Sequence, residues 1–74
     1  MGDLTIPQHH LLRLLNETRK GGGFAQACDR REERKAAHDL AEKGLARWTG
    51  ESFGSSFWAI TDEGVAYLDA NPRM

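Results

Sequence analysis

The sequence predicts one α+β domain over residues 1–74, with three helices and a two-stranded antiparallel hairpin. A chain of 74 residues is long enough for a single domain. Apolar residues recur at helical spacing in two segments, the second of which stops at Gly44. A Gly/Ser-rich turn then separates two short segments rich in aromatic residues, which is the pattern of a β-hairpin, and a third helix follows.

The first helix is predicted to start at Thr5, because Thr5 and Gln8 have the spacing of a capping box and Pro7 is tolerated in a first turn. Glycines 21–23 end it. Its apolar stripe consists of Leu11, Leu12, Leu14 and Leu15. Residues 24–28 come next and fit either a short helical turn or a short strand.

The second helix is predicted to cover about residues 30–43, with Asp29 as its N-cap and Gly44 as its left-handed stop. Small side chains form much of its inward face, which allows a neighbouring helix to approach closely. The inward residues are Ala36, Ala37, Leu40 and Ala41, followed by Leu45.

The hairpin strands are predicted at residues 45–49 and 57–60, joined by a polar turn that contains Phe53. Period-two spacing places Trp58 and Ile60 toward the core, with Phe57 and Ala59 on the other face. Most aromatic side chains of the hairpin, Trp48 included, are expected in the core, since a small domain needs large side chains there.

Thr61 is the predicted N-cap of the third helix, and Asp62 and Glu63 suit its positive end. Asn71-Pro72 ends this helix. The predicted order is therefore helix, short element, helix, hairpin, helix.

Two pieces of this layout carry a resemblance to a known family. One is Leu40-Ala41-Glu42-Lys43-Gly44-Leu45, and the other is Ile60-Thr61-Asp62-Glu63-Gly64 followed by Leu68. In this order they resemble the end of the recognition helix, the wing and the closing helix of winged helix-turn-helix proteins, such as MarR-like, PadR-like and short phage regulators. The resemblance implies a small bacterial or phage DNA-binding protein that regulates transcription in the cytoplasm by reading double-stranded DNA.

The sequence departs from the winged-helix pattern at two places. The helix that normally precedes the recognition helix is shortened to about residues 24–28. The wing tip offers Glu51 and Phe53, where a wing that reads a groove usually presents a cation.

The prediction of DNA binding depends on basic residues of the second helix. Four of them share one helical face in the part expected to enter the major groove: Arg31, Arg34, Lys35 and His38. Arg30 and Arg47 are predicted to contact phosphates. Residues 13–47 hold nine Lys/Arg against six Asp/Glu, which gives this part of the chain a positive balance. The alternative is a solvated face of mixed charge, in which Glu32 pairs with Lys35.

The aromatic residues of the hairpin indicate a second possible function. Phe53 at the tip and Phe57 on the outward strand face are hard to bury in so small a domain. If exposed, they suit a protein partner or a second copy in a homodimer. The alternative is therefore a winged-helix protein-interaction module, an adaptor or inhibitor.

The sequence favours neither an enzyme nor a metal site. No motif marks a serine as a nucleophile, and glycines 21–23 lack the Lys-Ser/Thr of a phosphate-binding loop. The possible metal ligands Cys28, His9, His10 and His38 lack ligand spacing, and His9 and His10 are expected at the surface. No cofactor is predicted. Neither a signal peptide nor a membrane span is expected, and a single cysteine fits a cytoplasmic protein.

Overall fold

Three helices and three strands follow one another along residues 4–71, the part of the chain that the computed structural model describes. In chain order they are α1 (Ile6–Lys20), β1 (Gln26–Cys28), α2 (Arg31–Glu42), β2 (Ala46–Ser52), β3 (Ser55–Ile60) and α3 (Asp62–Ala70). The strands form one antiparallel sheet in the order β1-β3-β2. The predicted α+β class, the three helices and the hairpin are confirmed, and the sheet has one strand more than predicted.

The additional strand is β1, which lies in the segment 24–28 that fits either a short helical turn or a short strand. Gln26 pairs with Trp58 and Cys28 with Ser56, so β3 supplies the hydrogen-bond partners along one side of β1. The hydroxyl of Thr18 on α1 donates to the Gln26 side-chain oxygen at 2.9 Å. Within residues 4–71 no helix lies between β1 and α2, and α1 is the helix that packs beside α2.

Capping interactions set the starts of α1 and α2. The predicted box of α1 is confirmed: the Gln8 N–H donates to Thr5 Oγ1 at 3.3 Å, and the Thr5 N–H donates to Gln8 Oε1 at 3.1 Å. The N-cap of α2 is Arg30, so the prediction of Asp29 was wrong. Glu33 explains the difference, because its carboxylate accepts the Arg30 N–H at 3.3 Å.

The end of α2 is tied to the start of α3. Gly44 ends α2 at a φ of +79°, the left-handed conformation that glycine adopts without strain. The Thr61 hydroxyl accepts the Gly64 N–H at 3.0 Å, as predicted for the N-cap of α3, and also donates to the Gly44 carbonyl at 2.6 Å. Asn71 follows α3, while Pro72 of the predicted stop lies outside the described residues.

The core lies between the three helices and the inner face of the sheet. Trp58 and Ile60 point into it from β3, as the period-two spacing predicts. Leu14 is 41% exposed and does not belong to the buried stripe of α1. The buried cluster comprises Leu11, Leu12, Leu15, Cys28, Ala36, Ala37, Leu40, Leu45, Ala46, Trp58, Ile60 and Leu68.

His9 is buried, so its predicted place at the surface was wrong. Its ring lies between α1 and the end of α3, with Nε2 3.2 Å from the Asn71 carbonyl oxygen, to which it donates. The Tyr67 ring meets it edge-on at a centroid distance of 6.3 Å. His9 therefore helps to dock α3 on α1. His10 is exposed, as predicted.

Candidate nucleic-acid interface

The basic face of α2, which we define as Arg31, Arg34, Lys35 and His38, is exposed along its whole length. Residues three and four apart on a helix lie on one side of it. The opposite side carries Ala36, Ala37 and Leu40, which are buried in the core. Packing of the small side chains inward thus turns all four predicted DNA-binding residues outward.

The four members of the basic face differ in their partners. Lys35 Nζ lies 3.5 Å from Asp39 Oδ2, and the same carboxylate oxygen accepts a hydrogen bond from Gln8 at 3.1 Å. The Lys35 side chain is 77% exposed, so this ion pair contributes only about 0.3–0.5 kcal/mol. Within residues 4–71, Arg31 and Arg34 form no ion pair. Their guanidinium groups are free to bind an anion.

His38 is held against the sheet by an aromatic contact. Its ring meets Trp58 edge-on, with centroids 4.8 Å apart and planes at 73°. The Trp58 side chain is buried, and within the described residues its indole N–H has no hydrogen-bond partner. Leaving such a donor unpaired costs about 1–3 kcal/mol. Because its ring packs on Trp58, His38 belongs both to the basic face of α2 and to the wall of a groove between α2 and the hairpin.

This groove, the α2–hairpin groove, is open to solvent and has a volume of about 460 Å³. The Trp48 side chain is 55% exposed there, although the sequence predicts it in the core. The register explains the difference: Trp48 and Trp58 are paired across the hairpin, but Trp48 lies on the edge strand β2, whereas the Trp58 ring on the central strand β3 is covered by His38. The lining residues are His38, Ala41, Trp48, Glu51, Ser56 and Trp58.

Arg47 lies on the opposite, outer face of the sheet. It pairs with Ala59, one position along from the Trp48–Trp58 pair, and successive residues of a strand point to opposite faces. Its guanidinium carbon lies 5.3 Å from the centre of the Phe24 ring, a cation–π contact. Arg47 is therefore separated by the sheet from the basic face of α2, whereas Arg30 is exposed at the N-cap of that helix.

Phe53 and Phe57 occupy different surroundings. Phe53 is fully exposed at the hairpin tip, with a relative accessibility of 105%. Its φ of +52° is the left-handed conformation that bulky side chains rarely adopt, and Gly54 follows at +81°. Phe57 is half-buried on the outer face of the sheet, where it pairs with Ala27 of β1. Of these two phenylalanines, Phe53 is the one whose side chain projects fully into solvent.

Cys28 is buried in the core. Burial, with smaller contributions from Glu33 and Asp29, raises the pKa of the Cys28 thiol to about 11, so the thiol stays protonated at neutral pH. In the described range no three His, Cys, Asp or Glu side chains cluster as metal ligands would. No helix between residues 4 and 71 has the length and apolar character needed to cross a membrane.

Comparisons with known proteins add no relative. The chain matches no protein-family model, no curated protein and no solved structure. The fold and surface define a small α+β domain that exposes a basic helix beside a hairpin.

Proposed function

We propose that this chain is a winged-helix DNA-binding protein, a transcriptional regulator of bacterial or phage type that contacts double-stranded DNA in the cytoplasm. The observation that carries the proposal is the basic face of α2, on which Arg31 and Arg34 are exposed and form no ion pair within the described residues. Exposed guanidinium groups bind phosphate, and they bind the O6 and N7 atoms of guanine in bidentate fashion.

The arrangement of elements supports α2 as the recognition helix. The helix is followed directly by the β2–β3 hairpin, which has the position of a wing, and β1 completes the sheet beside β3. The 12 residues of α2 span about 18 Å, which suits a helix that enters the major groove. Since β1 replaces the helix that usually precedes the recognition helix, α1 and the sheet support α2 instead.

The proposed surface is small and excludes Arg47. That side chain lies on the outer face of the sheet, on the opposite side from Arg31 and Arg34. Arg30 and Lys35 extend the surface along α2. With so few cations, we expect weak nonspecific binding with a modest salt slope, because each phosphate contact contributes only about 0.9 to the slope of log K against log salt.

The test is fluorescence anisotropy of a labelled random duplex over a series of salt concentrations. Substituting Arg31→Ala and Arg34→Ala together should weaken binding and lower the slope of log K against log salt by about 1.8, about 0.9 for each lost phosphate contact. Arg47→Ala is the matched control, since it removes the same side chain from the opposite face. An unchanged slope in the double variant, or no binding by the unaltered protein at low salt, would refute the proposal.

A second candidate function, protein interaction through the hairpin tip, is favoured by Phe53. A bulky residue in a left-handed conformation costs about 1–2 kcal/mol, and a fully exposed side chain contributes nothing to the core. Asn is favoured at such a turn position, ahead of the glycine at 54. Phe53→Asn should therefore preserve or raise stability while it weakens self-association at least about 30-fold if the tip is a hot spot. A sedimentation-equilibrium constant equal to that of the unaltered protein would exclude Phe53 from a dimer interface.

A further inference from the structure

We propose that the α2–hairpin groove binds one unpaired nucleobase of the DNA that α2 holds by its phosphates. The proposal rests on the proposed function and extends it from a continuous duplex to DNA with an unstacked base. Three observations carry it: an exposed indole in the groove, a polar pair at the rim, and cations on the flank of α2 that borders the groove.

The exposed indole provides a surface for stacking. Trp48 is 55% exposed, while its cross-strand partner Trp58 is covered by His38. The volume of about 460 Å³ is ample for a flat ring of the size of a nucleobase. Every base has a π-face, so stacking on an aromatic side chain favours a single-stranded or extruded base with little dependence on its identity.

A polar pair lies at the same groove. The Ser56 hydroxyl is 3.5 Å from Glu51 Oε2, at the limit of a hydrogen bond, and both residues line the groove. A carboxylate accepts hydrogen bonds from the exocyclic amino group of cytosine, and the amino group of adenine is a donor of the same kind. Glu51, which is unsuited to a wing that contacts phosphates, is suited to a base that carries an amino group.

The neighbouring cations decide between a nucleobase and a cationic side chain as the occupant. Aromatic rings beside a carboxylate also attract ammonium and guanidinium groups. Arg34, however, lies one turn before His38 on the flank of α2 that faces the hairpin, with Arg31 a further turn along the basic face. A cation brought to the groove would be repelled by these guanidinium groups, whereas they attract the phosphate attached to a nucleobase.

The experiment compares a short perfect duplex with the same duplex carrying one unpaired adenine. Binding is measured by anisotropy and, in parallel, by quenching of tryptophan fluorescence. We expect about tenfold tighter binding of the bulged duplex. We also expect quenching by the bulged DNA in particular, because the exposed Trp48 becomes stacked.

Substitutions at position 48 separate stacking from a general change in structure. Trp48→Ala should bring the ratio of the two affinities to about one, while Trp48→Phe, which retains a ring, should keep most of it. Phe24→Ala is the control, since it removes another exposed aromatic ring, on the outer face of the sheet. Circular dichroism of each variant verifies the fold.

The outcomes distinguish this inference from the proposed function. Salt-dependent duplex binding with no preference for the bulged DNA would overturn the nucleobase site and leave the DNA-binding function standing. A preference that survives Trp48→Ala would also overturn it. Failure to bind any of these DNAs at low salt would overturn both.

Discussion

Removal of the Thr61 side chain should destabilise the domain by about 2 kcal/mol, because this hydroxyl makes two hydrogen bonds at once. It accepts the Gly64 N–H at 3.0 Å and donates to the Gly44 carbonyl at 2.6 Å. Loss of an N-cap costs about 1 kcal/mol, and a second hydrogen bond contributes about 1 kcal/mol more. Since Gly44 is exposed, water can replace part of the second contribution, so Thr61→Ala should lose about 1.5–2 kcal/mol.

Urea unfolding followed by circular dichroism measures this loss, which for a domain of this size corresponds to a fall of roughly 6–16 °C in Tm. Thr61→Ser is the matched control, because it retains the hydroxyl and should keep both bonds. A loss below about 0.5 kcal/mol in Thr61→Ala would refute the reasoning, since it is within the range of ordinary surface substitutions. An equal loss in Thr61→Ser would assign the effect to the methyl group instead.

Two further predictions concern the packing around Gly64 and Cys28. Gly64→Ala would place a Cβ 2.6 Å from Ile60 Cγ1 and against the Leu45 carbonyl oxygen, so it should destabilise by about 2 kcal/mol despite the better helix propensity of alanine. A urea midpoint equal to that of the unaltered protein would contradict the close contact. Cys28 should resist a thiol reagent at neutral pH until the protein unfolds. Because its folded pKa of about 11 exceeds the unfolded value near 9, the unfolded state loses the proton first, and stability should fall by up to about 3 kcal/mol between pH 9 and 11. A Cys28→Ala variant with the same pH dependence would rule out the thiol as its source.

Elements that depend on local signals could be predicted from the sequence. The capping box at Thr5 and the left-handed glycine at position 44 act within one turn of a helix, so residue spacing predicts both. Spacing does not predict β1, because a three-residue strand has no periodicity of its own and exists only through its pairing with β3, some 30 residues later. The true cap of α2 was missed because Glu33, rather than the capping residue's own side chain, completes it.

The residues of the candidate site also fall into those placed by local spacing and those placed by distant contacts. The basic face of α2 follows from helical spacing, so the exposure of Arg31 and Arg34 could be predicted. The positions of Arg47 and Trp48 could not, since they depend on the hairpin register, which shifts between Trp48 and Gly50. His9 is buried because α3 docks on α1, a contact across 62 positions of the chain. Where the register or a distant helix decides, one sequence gives too little information.

The connection between α2 and the hairpin bears directly on the proposed nucleobase site. One wall of the α2–hairpin groove belongs to α2 and the other to the strands, and the two walls are joined where α2 ends at Gly44. The Thr61 hydroxyl bonds Gly44, and the Thr61 N–H donates to the Leu45 carbonyl at 3.1 Å, so the end of the hairpin is held to its beginning. A groove whose walls are fixed in this way does not have to be ordered when a base enters, and preorganisation of this kind favours affinity. Thr61→Ala should therefore reduce the preference for bulged DNA more than the affinity for a perfect duplex, because only the former requires both walls.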